Sequence, residues 1–242
     1  MAEIRLITFD LDNTLWDVGQ VIRHAEATMN AWLDERVPEY RRRLDRDAVL
    51  ALREAAIGEQ PHLGHDVSAL REEVLYRGMR HLGLAETTAR QHAAEAFQQF
   101  YQARQQVVFF EHAIESLAVL SRAYTLAALT NGNADVAKIG LDRFFRFALS
   151  AADVKASKPA PDMFRAALAT AGVRPEQSIH VGDHPVDDIR AADAVGMHTI
   201  WVRIGDAPAA QADARPSAII EHLRDLPAAI DRIERDPTVR SR

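Results

Sequence analysis

Residues 4–17, IRLITFDLDNTLWD, decide how this chain is read. The run IRLITF is apolar or β-branched at all but Arg5, the composition of a short strand buried on both faces of a parallel sheet. It ends at an acidic loop, so a buried strand delivers Asp10 and Asp12 at its carboxyl end. Two acids separated by one residue can share a crevice, where one attacks while the other carries protons. Solvated loop acids or a helix cap would give the same pair. The combination of a buried strand with D-x-D-x-T-L directly after it is much rarer than the pair alone.

Outward from this stretch the periodicity changes. Val18, Val21, Ile22, Ala25, Met29, Trp32 and Leu33 recur at steps of three and four, which predicts a helix with Asp17 as its N-cap. Pro38 and Pro61 punctuate the helical segment beyond it. Asp66 can cap a helix through Leu70, Val74, Leu75 and Met79 that stops at Gly83, and another helix spans residues 86–105. After Val107 strand and helix alternate. A helix over residues 112–122 leads to the strand TLAALT (125–130), a turn at Asn131-Gly132-Asn133, a helix and a short strand near residues 147–149. Next come a helix from Pro161, the strand SIHVG (178–182), a helix over 187–195 and the strand HTIWV (198–202), with residues 217–220 and a helix after Pro227 finishing the sheet. Such alternation predicts βαβ units. The expected fold class is α/β: a Rossmann-like doubly wound parallel sheet core of residues 1–15 and 108–242, with an all-helical cap domain of residues 16–107 inserted after the first strand.

Composition sets limits on function. The chain has 242 residues, 48% of them hydrophobic and 26% charged, which suits a fully folded enzyme with a sizeable core. The formal net charge is -6, and the one basic run, Arg41-Arg42-Arg43, is flanked by Glu39, Asp45 and Asp47, so no nucleic-acid partner is expected. Cysteine is absent, which excludes disulfides and thiolate metal sites. The first residues do not read as a signal peptide, and no apolar stretch approaches the roughly 18–20 residues of a membrane helix. The expectation is a cytoplasmic protein without a membrane partner, acting as a monomer or homodimer.

Three further loops come after strand-like runs, where open parallel sheets bind their ligands. Thr130 closes TLAALT and precedes Asn131 and Gly132, a hydroxyl beside turn amides that can hold phosphate oxygens. Lys158, one of only three lysines, lies between a short strand and a helix. Asp183 directly follows SIHVG, within GDHPVDDI (182–189), with Asp187 and Asp188 close behind. Asp187 also suits the N-cap of the next helix. Acid pair, hydroxyl, cation and acid cluster in this order resemble the haloacid dehalogenase superfamily of phosphatases, with the helical insert where that family inserts its cap.

The resemblance implies that Asp10 is the nucleophile, Asp12 the general acid/base, and Thr130, Asn131 and Lys158 the phosphate-binding groups. It implies Mg²⁺ as cofactor, held by Asp10, Asp183 and the main-chain carbonyl of Asp12. Thr14, Asp187 and Asp188 are supporting residues, with the second acid of the last motif left open between Asp188 and Asp187. Dehalogenases of the superfamily lack an acid two residues after the nucleophile, so Asp12 favours phosphate chemistry. Residues 16–107 contain no lysine for a Schiff base. His180, within a strand, and His184, in a loop, have no paired spacing for zinc and read as core or surface histidines.

The partner is a small-molecule phosphomonoester whose leaving group the cap would select. His65, Asp66 and Arg71, near a helix start, are the cap candidates for specificity, with Asp66 as a plain N-cap the alternative. The stretch HDVSALREEVLYRGM (65–79), with TNGNA (130–134), is similar to bacterial phosphatases acting on flavin mononucleotide and on the phosphorylated ribityl-aminouracil precursor of riboflavin. Phe97, Phe100, Tyr101 and Tyr76 are the cap aromatics available to stack on such a ring, or else a helical core stripe. Trp16, at the entrance to the cap, reads as a core residue, with packing on substrate the alternative.

Overall fold

The computed structural model describes residues 3–204 and 215–235. The predicted core limits at residues 1 and 242 lie outside the described residues. The chain divides into two compact units, one of Met1–Val18 with Val108–Arg242 and one of Gly19–Val107.

The first unit is built on a six-stranded, all-parallel sheet. Its strands are β1 (Leu6–Phe9), β2 (Thr125–Thr130), β3 (Phe147–Ser150), β4 (Ser178–Gly182), β5 (His198–Val202) and β6 (Ala218–Ile220). They lie in the order β3-β2-β1-β4-β5-β6. All four side chains of β1 are buried, as its unbroken apolar run requires. The register sets Phe9 against Ala128 of β2 and Val181 of β4. The order grows one way from β1 through β2 and β3 and then resumes on its other side at β4. The crevice at a topological switch point therefore lies beyond the carboxyl ends of β1 and β4. Leu6, Ala127 and Leu129 of the sheet pack with Met163, Phe164 and Ala167 of a helix on one face.

Ten α-helices occur among the described residues. α1 (Val18–Arg36), α2 (Glu39–Arg43), α3 (Arg46–Glu59), α4 (Val67–His81) and α5 (Glu86–Arg104) make the helical unit, and α6 (Ala113–Leu120), α7 (Ala151–Val154), α8 (Asp162–Ala171), α9 (Ala191–Ala194) and α10 (Leu226–Arg235) surround the sheet. In the helical unit Ala25, Met29 and Leu33 of α1 meet Leu75 and Met79 of α4 and Ala93, Phe97 and Phe100 of α5. Asp66 accepts the amides of Ser68 and Ala69 and caps α4. Past the end of α4, Gly83 takes a φ of +88°, a conformation in which a side chain would be strained.

Two sequence expectations are corrected. Residues 134–146 form turns instead of a helix. Asp135 accepts the amides of Ala137 and Lys138 in a single helical turn that Gly140, at φ +80°, cuts short. The element expected over residues 187–195 starts earlier, as a π-helical turn over Pro185–Arg190 capped by the His184 ring, so Asp187 donates to the cap and is not the cap itself. At the start of α1 the Asn13 side chain accepts the Val18 amide.

Candidate active site

Asp10 follows β1 directly, and its amide donates to the Val181 carbonyl of β4, which anchors the acid to both central strands. Asp10 is nearly buried, 7% exposed. Lys158 reaches it from the loop before α8: Nζ donates to Asp10 Oδ1 at 2.6 Å, to Asp188 Oδ1 at 2.6 Å and to the Leu129 carbonyl of β2 at 3.0 Å. These three acceptors use all three ammonium donors. Thr14 lies between the other acids, its hydroxyl 3.3 Å from Asp10 Oδ2 and 3.2 Å from Asp183 Oδ1. Trp201 of β5 fixes the Asp183 carbonyl through its indole N–H at 2.8 Å.

The structure thus brings Asp10, Thr14, Lys158, Asp183 and Asp188 together. Asp188, not Asp187, enters the cluster. Its carboxylate turns back against the end of β4, where only Gly182 leaves room: a Cβ at that position would come within 2.4 Å of Asp188 Cγ. Asp187 remains outside, 3.7 Å from the exposed His184 ring. Asp12 stands at the same loop, and its Oδ1 accepts the Trp16 indole N–H at 2.8 Å. Trp16 itself is fully buried and packs edge-on against Phe109, in the first unit. Thr130 ends β2 beside β1, and its Oγ1 accepts the Gly132 amide at 2.9 Å, which closes the turn.

The Asn131 side chain is engaged within the site, which leaves its main-chain amide as the group in the turn after Thr130. Its Oδ1 accepts the Lys158 amide and its Nδ2 donates to the Lys158 carbonyl, so both ends of the amide hold the lysine's own peptide. The cap candidates are placed within the helical unit. Asp66 is the N-cap of α4, His65 ends a short 3₁₀ turn over Pro61–His65, and the Arg71 guanidinium lies 3.8 Å over the Phe100 ring and 3.7 Å from Glu26. Phe97 and Phe100 belong to the packed core of that unit, as apolar residues at helical spacing usually do, and are not free to stack on a substrate.

The electrostatics are those of a site short of positive charge. Burial, reinforced by Asp188 and Asp183, raises the Asp10 carboxyl well above its usual range despite Lys158. Burial and Asp188 push Asp183 up to about 6. Burial opposes the Lys158 charge, but Asp10 and Asp188 outweigh it and hold the ammonium above its ordinary value. Asp188 is held low, because Lys158 and His180 outweigh burial. Oxygens of Asp10, Asp183 and Asp188 lie within 4.8 Å of one another. Three carboxylates around one ammonium form a hard, oxygen-only donor set with excess negative charge, which fits a divalent cation such as Mg²⁺.

Sequence reasoning missed Thr8 and the part played by His180. Both sit inside fully buried strands; His180 contacts Asp188, and Thr8 contacts His180. A polar residue in the middle of each of two buried runs was the available signal.

The family comparison agrees with this geometry. The model of the haloacid dehalogenase-like hydrolases matches residues 4–196. The chain belongs to that family of enzymes. Among curated proteins it is 31% identical over 203 residues to the 5-amino-6-(5-phospho-D-ribitylamino)uracil phosphatase YigB of Escherichia coli, covering 84% of this chain and 85% of that one. It is 34% identical over 162 residues to the phosphoserine phosphatase of Thermus thermophilus, covering 64% of this chain and 63% of the other. Among solved structures, a 2-haloacid dehalogenase from Pseudomonas syringae superposes with a TM-score of 0.90 at 39% identity, over 95% of this chain and 99% of that one. Among the described residues no helix is long and apolar enough to cross a membrane.

Proposed function

We propose that this phosphatase hydrolyses a small phosphomonoester through an aspartyl-phosphate intermediate, with Asp10 as nucleophile and Asp12 as general acid/base. The observation that carries the reading is the pairing of Lys158 with Asp10 at 2.6 Å, with a second acid two residues on. A carboxylate repels a phosphate dianion, so the nucleophile needs a cation beside it before attack. Lys158 is that cation.

An Asp10 oxygen attacks phosphorus, and the bond from phosphorus to the ester oxygen breaks. The departing oxygen takes the proton of the Asp12 carboxylic acid and leaves as an alcohol. The resulting Asp12 carboxylate then removes a proton from water, whose oxygen attacks the same phosphorus. The bond to Asp10 breaks, inorganic phosphate leaves, and both acids return to their starting states. Thr130 and the turn amides after it bind phosphoryl oxygens, and Lys158 holds the charge on them. Asp10 and Asp183 carboxylates with the Asp12 carbonyl would hold Mg²⁺, which when bound offsets the negative charge of the phosphoryl group. The helical unit, Gly19–Val107, acts as the cap that selects the leaving group.

For the substrate, the likeness to YigB over most of both chains supports a ribityl phosphate such as flavin mononucleotide or 5-amino-6-(5-phospho-D-ribitylamino)uracil. A cytoplasmic location fits such a substrate. The test compares kcat/KM with Mg²⁺ for these two, phosphoserine, phosphoglycolate and a nucleoside monophosphate. A preference of more than about tenfold, roughly 1.4 kcal/mol, for a substrate without a ribityl chain would overturn the choice.

A dehalogenase is the second reading, favoured by the superposition on the Pseudomonas syringae structure. Asp12 argues against it, since displacement of halide from a carbon needs no acid to protonate the leaving group. Halide release from 2-chloropropionate without phosphate release from p-nitrophenyl phosphate would favour that reading instead.

A further inference from the structure

Thr8 and His180 face each other across β1 and β4, in register and with no exposed surface. Two polar side chains inside a buried sheet carry a desolvation cost that a Val–Leu pair would avoid, so their bonds should serve something. The bonds lead to the active site. His180 Nε2 lies 3.1 Å from Asp188 Oδ1, and Nδ1 lies 2.8 Å from Thr8 Oγ1. Asp188 passes the contact on to Lys158 Nζ, and Lys158 to Asp10.

The proton positions follow from the partners. An ionised carboxylate only accepts, so Nε2 carries the hydrogen and Nδ1 the lone pair. The Thr8 hydroxyl then donates to Nδ1, its alternative acceptor, the Ile179 carbonyl, being farther at 3.4 Å. Burial keeps the imidazole neutral against the pull of Asp188, which fits one donor and one acceptor nitrogen. Phe164 of α8 stands edge-on to the ring at 5.0 Å and limits its rotation. The other Asp188 oxygen accepts the His184 amide at 2.9 Å, so the carboxylate is held from three directions.

We infer that Thr8 and His180 are positioning residues: they fix the Asp188 carboxylate from inside the sheet and, through it, the ammonium of Lys158 that faces the nucleophile. This rests on the reading of Lys158 as the cation for the phosphoryl group. Neither residue touches substrate. Their role is to keep Lys158 between two acids without letting Asp188 follow it toward Asp10.

The test uses the whole chain with His180→Leu, His180→Gln and Thr8→Val. In the metal-free wild type, ¹⁵N spectra of the imidazole should show Nε2 protonated and Nδ1 bare. With three lysines in the chain, the Lys158 ¹⁵Nζ signal can be followed directly. It should move in His180→Leu and stay near its wild-type position in His180→Gln, whose amide can still donate to Asp188. With p-nitrophenyl phosphate and Mg²⁺, kcat/KM should fall ~10–100-fold in His180→Leu and recover to within roughly fivefold in His180→Gln, as for other residues that orient site ligands. Should His180→Leu not fold, the wild-type tautomer and the smaller loss expected in Thr8→Val decide the matter. A protonated Nδ1, or an unmoved Lys158 signal with unchanged kcat/KM in folded His180→Leu, overturns the inference. If the protein releases phosphate from no ester while the tautomer and Lys158 signal behave as stated, the phosphatase reading fails and the relay stands.

Discussion

Asn131 grips the main chain of Lys158 from both sides, accepting its amide at 2.8 Å and donating to its carbonyl at 3.0 Å. A residue in the turn after β2 thereby sets where a lysine 27 positions later leaves its loop. Asn131→Ala removes both bonds without adding charge. The expected result is a loss of ~10–100-fold in kcat/KM toward p-nitrophenyl phosphate with unchanged far-ultraviolet circular dichroism. A loss under about threefold would mean that the loop holds Lys158 without this clasp.

Asp10→Asn keeps the size of the side chain and its hydrogen bond with Thr14 while removing the attacking oxygen's charge. Turnover should fall by about 10³-fold or more, measured as phosphate release under saturating substrate, with the protein still folded. Retention of a tenth of wild-type turnover would remove Asp10 from the nucleophile's role.

Asp183 supplies a prediction in which loss of a charge stabilises. Its carboxyl is raised from 3.8 to about 6, so the folded state holds the proton more tightly than the unfolded one. Folding stability therefore falls as pH rises from about 4 through 6, and at neutral pH the ionised group costs at most about 3 kcal/mol. Without metal, Asp183→Asn should melt roughly 2–8 °C above wild type at pH 7.5. Mg²⁺ should raise the Tm of wild type, by ~2.7 kcal/mol of added stability at a hundred times its Kd, and leave the variant unmoved. An equal Mg²⁺ shift in both proteins would place the cation elsewhere.

Gly182→Ala tests the fold of Asp188 against β4. The new methyl would meet Asp188 Cβ, Cγ and Oδ2 at 2.4–2.5 Å, with strand backbone behind it that cannot retreat. Overpacking of this kind costs about 1–3 kcal/mol, and here it also pushes Asp188 off Lys158. The variant should lose stability in urea melts and most of its activity together. Wild-type activity in Gly182→Ala would mean that Asp188 can move without consequence for Lys158.

The strands and most helices were legible because each signal is local. The apolar run before Asp10 could only be a doubly covered strand, and α4 declared its ends through Asp66 and Gly83. What was not legible depends on distant partners. Asp135 and Gly140 bear ordinary helix-compatible neighbours, yet together they close a turn. The clasp of the Asn131 side chain on Lys158 joins residues far apart along the chain, which no local spacing announces. The choice between Asp187 and Asp188 turns on the space beside Gly182, which no spacing rule contains. His180 is buried in the core, and its ties to Thr8 on another strand and to Asp188 depend on partners that no local pattern names.

One consequence reaches beyond chemistry. Trp16 bridges to Phe109, and the Phe110 amide bonds the Leu15 carbonyl at 2.8 Å, so the chain leaves and re-enters the first unit at neighbouring points. β1 and β2 pair side by side although the whole helical segment separates them in sequence. A segment with its ends stapled together adds little closure entropy for its length, since each doubling of a loop costs only about 0.6 kcal/mol. Evolution can therefore lengthen, trim or exchange what hangs from this clasp while the sheet keeps its register, and new substrate preferences can arise without rebuilding the catalytic scaffold.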